Sequence, residues 1–461
     1  MRYNLKTQND ILAALSRQFQ HFHDNLAEKS VASSSLKAPI LELPNTGMPF
    51  EQLENLIENQ VQPGLSASNG GRYWGFVTGG ANPVATYADW LVTTFNQNVS
   101  KDGDSMSSAI EIQAIEWLCE LFHLPHAFKG IFTTGATSAN FLGAVIARQF
   151  AGIQQGIDTA KQGMEGLNVS IYSATPHASM VKSLGMAGFG QRSWQAIRCE
   201  EGLESMDVSA LEQALANSCS KSNIVIASAA TVTGTDYDDL AAIAAICKKH
   251  DAWLHVDAAF GIFERLVNGA EGKTRGLELA DSITLDCHKW LNVPYDCGVF
   301  LTRHVELLQQ SFEVTAPYFS SSSDDIPFMS MGVENSRRFR AFPVWATLLS
   351  YGRDGISAEI AQNMAQAKKL ASWISQSDAF ELVKPCELNV VLFKPNPSVL
   401  SLGSEQCRQA INSTGKVFLT PGVWQGQSVI RAALSNWSTT DDDIETVIAV
   451  LKAVSDHKHA I

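Results

Sequence analysis

The sequence predicts an α/β protein built on a mainly parallel sheet of seven strands, followed by a smaller C-terminal α+β unit. Three observations lead there. Short apolar runs at 130–133, 169–173, 196–199, 224–227, 252–257, 282–286 and 298–302 alternate with helical stretches such as 240–247. These runs are apolar along their length instead of every second residue, as in strands covered on both faces. After Arg340 the texture changes: helical 344–351 and 360–374 precede strand-like 388–393, 416–419 and 428–434, and 441–454 reads as a last helix. The expected division is therefore an N-terminal helical arm at 1–70, a large domain at 71–340 and a small domain at 341–461.

Taken in order, the arm begins with Ile11, Leu12, Leu15, Phe19, Phe22 and Leu26, spaced by threes and fours into one apolar stripe. A terminal amphipathic helix must bury that stripe, and a partner subunit would serve as well as the chain's own core. Residues 38–63, rich in Pro and Leu without a strong period, read as a connecting arm. The run Ser320-Ser321-Ser322-Ser323 with Asp324 and Asp325 cannot pack a core and reads as a mobile loop.

Bulk properties narrow the function classes. A chain of 461 residues calls for two or three units, and 45% hydrophobic with 18% charged residues describes a soluble globular protein. The net charge of −13 is spread without a basic block, which argues against nucleic acid as a partner. The polar start lacks the apolar core of a signal peptide, and no run reaches the ~18 apolar residues of a membrane span. Eight cysteines without CxxC pairs read as reduced thiols, so a cytoplasmic protein with no disulfide or zinc framework is expected. His21 and His23 sit on a polar helix face and read as solvated, not as metal ligands.

Two strand ends carry the chemistry. Trp253-Leu254-His255-Val256 ends in Asp257, and Ile283-Thr284-Leu285-Asp286 is followed by Cys287-His288-Lys289-Trp290. Ligands of parallel sheets bind beyond the carboxyl ends of the strands, where both Asp257 and Lys289 fall. A carboxylate there is costly unless it meets a cation, and a pyridinium N–H is one. The apolar setting of Lys289 favours a neutral amine able to attack an aldehyde. An enzyme using pyridoxal phosphate requires this pair: the lysine holds the cofactor as a Schiff base and the acid keeps the ring nitrogen protonated. The plainer readings are a turn-capping Asp and a surface lysine. An anion site is expected where a strand passes into a helix, and Thr133-Thr134-Gly135-Ala136-Thr137-Ser138 fits, with Ala136 and Thr137 as phosphate contacts. Thr137 or Ser138 may equally be read as a helix cap.

With these residues in place, the chain resembles the group II pyridoxal-phosphate-dependent decarboxylases, which include aromatic-L-amino-acid, glutamate, tyrosine and diaminobutyrate decarboxylases. The carriers are the 134–140 turn, Ala174-Thr175-Pro176-His177-Ala178-Ser179, Val256-Asp257-Ala258-Ala259, His288-Lys289-Trp290 and Ser336-Arg337-Arg338-Phe339-Arg340. The resemblance runs from about Arg72 to Arg340 and continues weakly to the end. It implies the aspartate-aminotransferase-like fold (fold type I) and a homodimer whose active site lies at the subunit interface, with 98–107 reaching the neighbouring site.

The resemblance also implies roles. His177 matches the histidine that stacks on the cofactor ring, and Ala259 the small residue against its other face. His288 matches a phosphate-contacting histidine, and Ser228 stands where the family usually has a threonine near cofactor and substrate. Tyr318 follows Lys289 at the interval of a loop tyrosine thought to protonate the carbon that loses carbon dioxide. Trp74 and Phe76, in 72–80, match the segment lining the side-chain pocket and read equally as substrate-stacking or structural aromatics, though Val77-Thr78-Gly79-Gly80 departs from the bulkier run of aromatic-specific members. Arg431 reads as a carboxylate binder or, slightly favoured, a structural ion pair. The expected activity is decarboxylation of an L-amino acid to amine and carbon dioxide. An aminotransferase or carbon–carbon lyase would use the same Asp257 and Lys289, and a non-catalytic binding protein is a third reading.

Overall fold

The structure, a computed structural model, describes residues 8–33, 38, 43–100, 105–314 and 328–456. Seven strands form the large sheet: β1 (Lys129–Thr133), β2 (Val169–Ser173), β3 (Trp194–Ala196), β4 (Ser222–Ser228), β5 (Trp253–Asp257), β6 (Ser282–Asp286) and β7 (Gly298–Thr302). Their spatial order is β1-β7-β6-β5-β4-β2-β3, and β7 alone runs against its neighbours. The expected mainly parallel sheet is present. Its central strands β4, β5 and β6 are buried at every position, which is why they read as unbroken apolar runs.

The register sets the site. Ser228 pairs with Asp257, and Asp257 with Thr284, so three neighbouring strands end on one rim. Helix α1 (Gln8–Asp24) leads the chain, and α2 (Phe50–Leu56), continued by a wider turn at Ile57–Val61, lies inside the stretch expected to be a plain connecting arm. Then come α3 (Pro83–Phe95), α4 (Ser107–Leu121) and α5 (Ala136–Ile153). A buried ion pair joins Arg337 Nη2 to Glu111 Oε1 of α4 at 2.7 Å, and the two side chains bond the carbonyl and N–H of Phe132 near the end of β1, which accounts structurally for the first arginine of the 336–340 motif.

A second sheet, β8 (Phe380–Leu382), β9 (Val390–Pro395), β10 (Thr420–Trp424) and β11 (Gln427–Ala433), is antiparallel in the order β10-β11-β9-β8. The strand expected at 416–419 is not part of it. Phe418 instead pairs with Tyr73, its N–H donating to the Arg72 carbonyl and its own carbonyl accepting from Trp74. The third strand of the large sheet is likewise short and earlier than expected, at its exposed edge. The two helices expected at 344–351 and 360–374 lie within one element, Ala341–Ser375, broken at Gly352 where φ is +61°. Trp74, read equally as a pocket wall or a structural aromatic, is fully buried in the core of the small domain with Leu370, Phe393 and Ile430, its Nε1 bonded to the Gly71 carbonyl.

Candidate active site

The carboxyl ends of the central strands open into a cavity of about 380 Å³. Ala136, Thr137, His177, Ser228, Asp257, Ala259, His288 and Lys289, all expected from sequence, line it together. Tyr318 and the serine run at 320–323 lie outside the described residues, as do 101–104 of the segment expected to reach a neighbouring subunit.

Asp257 ends β5 with only 8% of its surface exposed. Its Oδ2 accepts from Asn140 Nδ2 at 2.8 Å and its Oδ1 from the Ala259 N–H at 3.2 Å. Lys289 stands in the turn after β6. Its surroundings differ from the apolar setting expected: Asp286 Oδ2 lies 3.1 Å from Nζ, and the ring of Phe260 is 5.6 Å away. Gly79 explains how the arm crosses this point, since a Cβ there would sit 1.8 Å from the Lys289 carbonyl oxygen. Phe76 and Val77, both with left-handed backbone, form the adjoining wall.

At the other end of the cavity, β1 passes through Gly135 (φ +142°) into α5, whose first turn has no side-chain cap. Gly298 lets β7 come close, because a Cβ there would be 2.5 Å from Gly135 Cα. The Ala136 N–H, aimed at the site, is taken by Asp286 Oδ1 at 2.6 Å. His288 lies alongside. Its Nδ1 accepts from the Cys297 N–H at 3.1 Å, so its neutral form carries the proton on Nε2, 3.6 Å from Asp286 Oδ1. Burial, opposed by Asp286, holds its pKa below the ordinary histidine value. Cys287 and Cys297 are buried core residues, as expected.

His177 begins the helix Ala178–Met186, and its Nδ1 accepts from both the Ser179 N–H at 3.2 Å and Ser179 Oγ at 2.7 Å. Desolvation by the cavity walls, opposed by Asp257, lowers its pKa, so a neutral ring with its proton on Nε2 prevails near pH 7. Arg431, from β11, closes the site and corrects the preference for a structural ion pair. It is 4% exposed, lines the cavity and bonds Thr420 Oγ1 at 3.4 Å, while its Nε and Nη2 have no acceptor among the described residues. Burial pulls its pKa down to about 10. Asp286 and Tyr295 also line the cavity without having been singled out for a role. Asp286 had one sequence signal, its place at the strand end three residues before Lys289.

The cavity suits pyridoxal phosphate on its own terms: a lysine amine, a buried carboxylate and the N-terminus of α5, whose N-cap Gly135 offers no side chain, all border it. Residues 35–396 match the pyridoxal-dependent decarboxylase conserved domain. The chain belongs to that family. It is 27% identical to an aromatic-L-amino-acid decarboxylase of Bacillus atrophaeus over 95% of this chain and 92% of that one. To an L-2,4-diaminobutyrate decarboxylase of Acinetobacter baumannii it is 29% identical, over 68% and 65%. Among solved structures it resembles Oryza sativa TDC with PLP and tryptamine (TM-score 0.90, 21% identity, 98% and 99% covered). Mouse CSAD is similar at TM-score 0.87, 21% identity, 98% and 99% covered. This family member is a pyridoxal-phosphate-dependent amino acid decarboxylase of fold type I. Among the described residues no helix is long and apolar enough to cross a membrane, and no cluster of His, Cys, Asp and Glu could hold a metal ion.

Proposed function

We propose that this decarboxylase works through Lys289, Asp257 and His177, with Arg431 holding a carboxylate of the amino acid substrate. The observation that carries this reading is the convergence of those four side chains on one cavity, with two donors of buried Arg431 left unpaired. When bound, pyridoxal phosphate draws into its ring the electrons left at Cα as carbon dioxide departs. Lys289 supplies the amine that links to the cofactor and that the substrate amine displaces. Asp257 presents a carboxylate to the ring nitrogen; His177 covers one ring face with Ala259 against the other. Ala136, Thr137 and His288 hold the phosphate, and Ser228 borders the cofactor. Tyr318 is the proposed proton donor to Cα, on sequence grounds. Arg431 orients the substrate, because an unpaired buried guanidinium gains most from a carboxylate.

The protein is further proposed to be a cytoplasmic homodimer. Helix α1 supports the dimer: Ala14 is its one buried residue, while Leu12 is 61% and Leu15 42% exposed. Purified protein given a panel of L-amino acids should release carbon dioxide and amine, and Lys289→Ala should abolish both. Keto acid formation without gas would overturn the reading in favour of an aminotransferase.

A further inference from the structure

Behind Asp257 lies a buried row of polar side chains that the reaction itself does not use. Trp253 Nε1 is 3.2 Å from Ser282 Oγ; Ser282 Oγ is 2.8 Å from His255 Nδ1; His255 Nε2 is 3.0 Å from Asn140 Oδ1; and Asn140 Nδ2 is 2.8 Å from Asp257 Oδ2. Ser282 and Asn140 are 0% and His255 1% exposed. Gly143, one turn along α5 from Asn140, makes room for the imidazole: a Cβ there would meet His255 Cε1 at 2.5 Å.

The two ends of this row decide its direction. An indole N–H only donates and a carboxylate only accepts. Ser282 Oγ therefore accepts from Trp253 and donates to His255 Nδ1. The His255 proton sits on Nε2 and is donated to the Asn140 carbonyl, which leaves the Asn140 amide N–H for Asp257. Reversing His255 or Asn140 would set acceptor against acceptor among fully buried groups. Burial holds the His255 pKa down at about 4 against the pull of Asp257, so the ring is neutral at neutral pH, as this assignment needs.

We propose that Trp253, Ser282, His255 and Asn140 are positioning residues: a one-way hydrogen-bond chain that delivers a fixed N–H to Asp257 and so holds its carboxylate in the orientation that meets the cofactor's ring nitrogen. A second branch leaves the same amide. Asn140 Nδ2 also reaches Ser179 Oγ at 3.2 Å, and Ser179 donates to His177 Nδ1, so one side chain orients both Asp257 and His177. His255 does not touch the cavity. Its part is to stop the Asn140 amide from turning over and presenting its carbonyl to a carboxylate.

This inference rests on the reading of Asp257 given above. The other charged or titratable groups facing that carboxylate are His255 behind it and His177, Lys289, Asp286 and Arg431 around the cavity. The test measures the affinity of apoprotein for pyridoxal phosphate by titration, from pH 6 to 8.5, with thermal melting as the control for folding. Asn140→Leu and His255→Leu should each weaken binding about tenfold across this range, because the carboxylate loses the donor that fixes its orientation. His255→Gln, which keeps a donor toward Asn140, should stay within about threefold of the wild type. His255→Gln as weak as His255→Leu, or both Leu variants binding as tightly as the wild type, would make the row a structural one and overturn the proposal. Should Asn140→Leu not fold, the two His255 variants decide. Asp257→Asn separates the two readings. If it binds as tightly as the wild type, the role of Asp257 fails. If it binds weakly while folded Asn140→Leu binds normally at pH 6, the hydrogen-bond chain alone fails.

Discussion

Lys289 Nζ lies 3.1 Å from Asp286 Oδ2, and the other oxygen of the same carboxylate accepts the N–H that opens α5. Asp286 thus bridges the Lys289 amine and the N-terminus of α5, the two groups proposed above to meet the cofactor's aldehyde and phosphate. Without cofactor it neutralises the lysine and satisfies an otherwise orphaned helix donor.

Replacing that charge should favour anions. Asp286→Asn keeps an acceptor for Ala136 but removes a negative charge from the phosphate end, so apoprotein should bind inorganic phosphate and pyridoxal phosphate about tenfold more tightly. Calorimetric titration checks this; unchanged affinity for both would show that Asp286 moves clear of the phosphate.

Arg431 should show opposed effects on stability and function. Two of its donors are buried without acceptors, so Arg431→Met is expected to stabilise the apoprotein by about 1 to 3 kcal/mol in urea. The same change should raise the substrate KM at least about tenfold, because a charge-assisted carboxylate contact is lost.

Glu359 carries a pH dependence whose sign can be worked out. Burial raises its carboxyl pKa from 4.5 to about 7, and it accepts from Asn292 Nδ2 at 2.6 Å with no cation paired to it. Between pH 4.5 and 7 the folded state holds a proton that the unfolded state has released, so this group's stabilising contribution is lost as the pH rises through 7. Glu359→Gln should therefore raise stability at pH 8 by about 1 to 2 kcal/mol and change little at pH 4 to 5. Urea midpoints at the two pH values measure it.

The apolar face of α1 should govern assembly. Leu12 and Leu15 are exposed, and Phe19 packs edge-on against Trp90 of α3 at 5.1 Å, joining that face to a second surface with Tyr87 61% exposed. Light scattering should give twice the chain mass for the wild type and a single chain mass for Leu12→Asp/Leu15→Asp. A wild-type monomer would remove the dimer from the proposal.

Much of the site was legible because its residues sit at strand ends, where an apolar run stops at a polar residue. Asp257, the Gly135 turn and Lys289 all announced themselves this way. Trp74 stayed open between pocket and core, and Arg431 leaned towards an ion pair, for a common reason. A large aromatic or a lone arginine carries no periodic signal, and only three-dimensional neighbours distinguish a core indole from a pocket wall, or a paired guanidinium from an unpaired one. The 416–419 run was apolar and extended, yet its backbone bonds go to 72–74 instead of the sheet, a long-range pairing that local pattern cannot reveal.

The sequence by itself determined the layered α/β architecture and the cofactor chemistry, since burial on both faces of a sheet imposes apolar runs and an acid–lysine pair at their ends has few other uses. Tertiary structure alone decided which groups lean on that pair. Asp286 reaches Ala136 at the start of the 136–153 helix across 150 residues of chain, and Asn140 meets Asp257 across 117. Such contacts arise from strand order and helix packing, which place distant residues side by side, and no local periodicity encodes them.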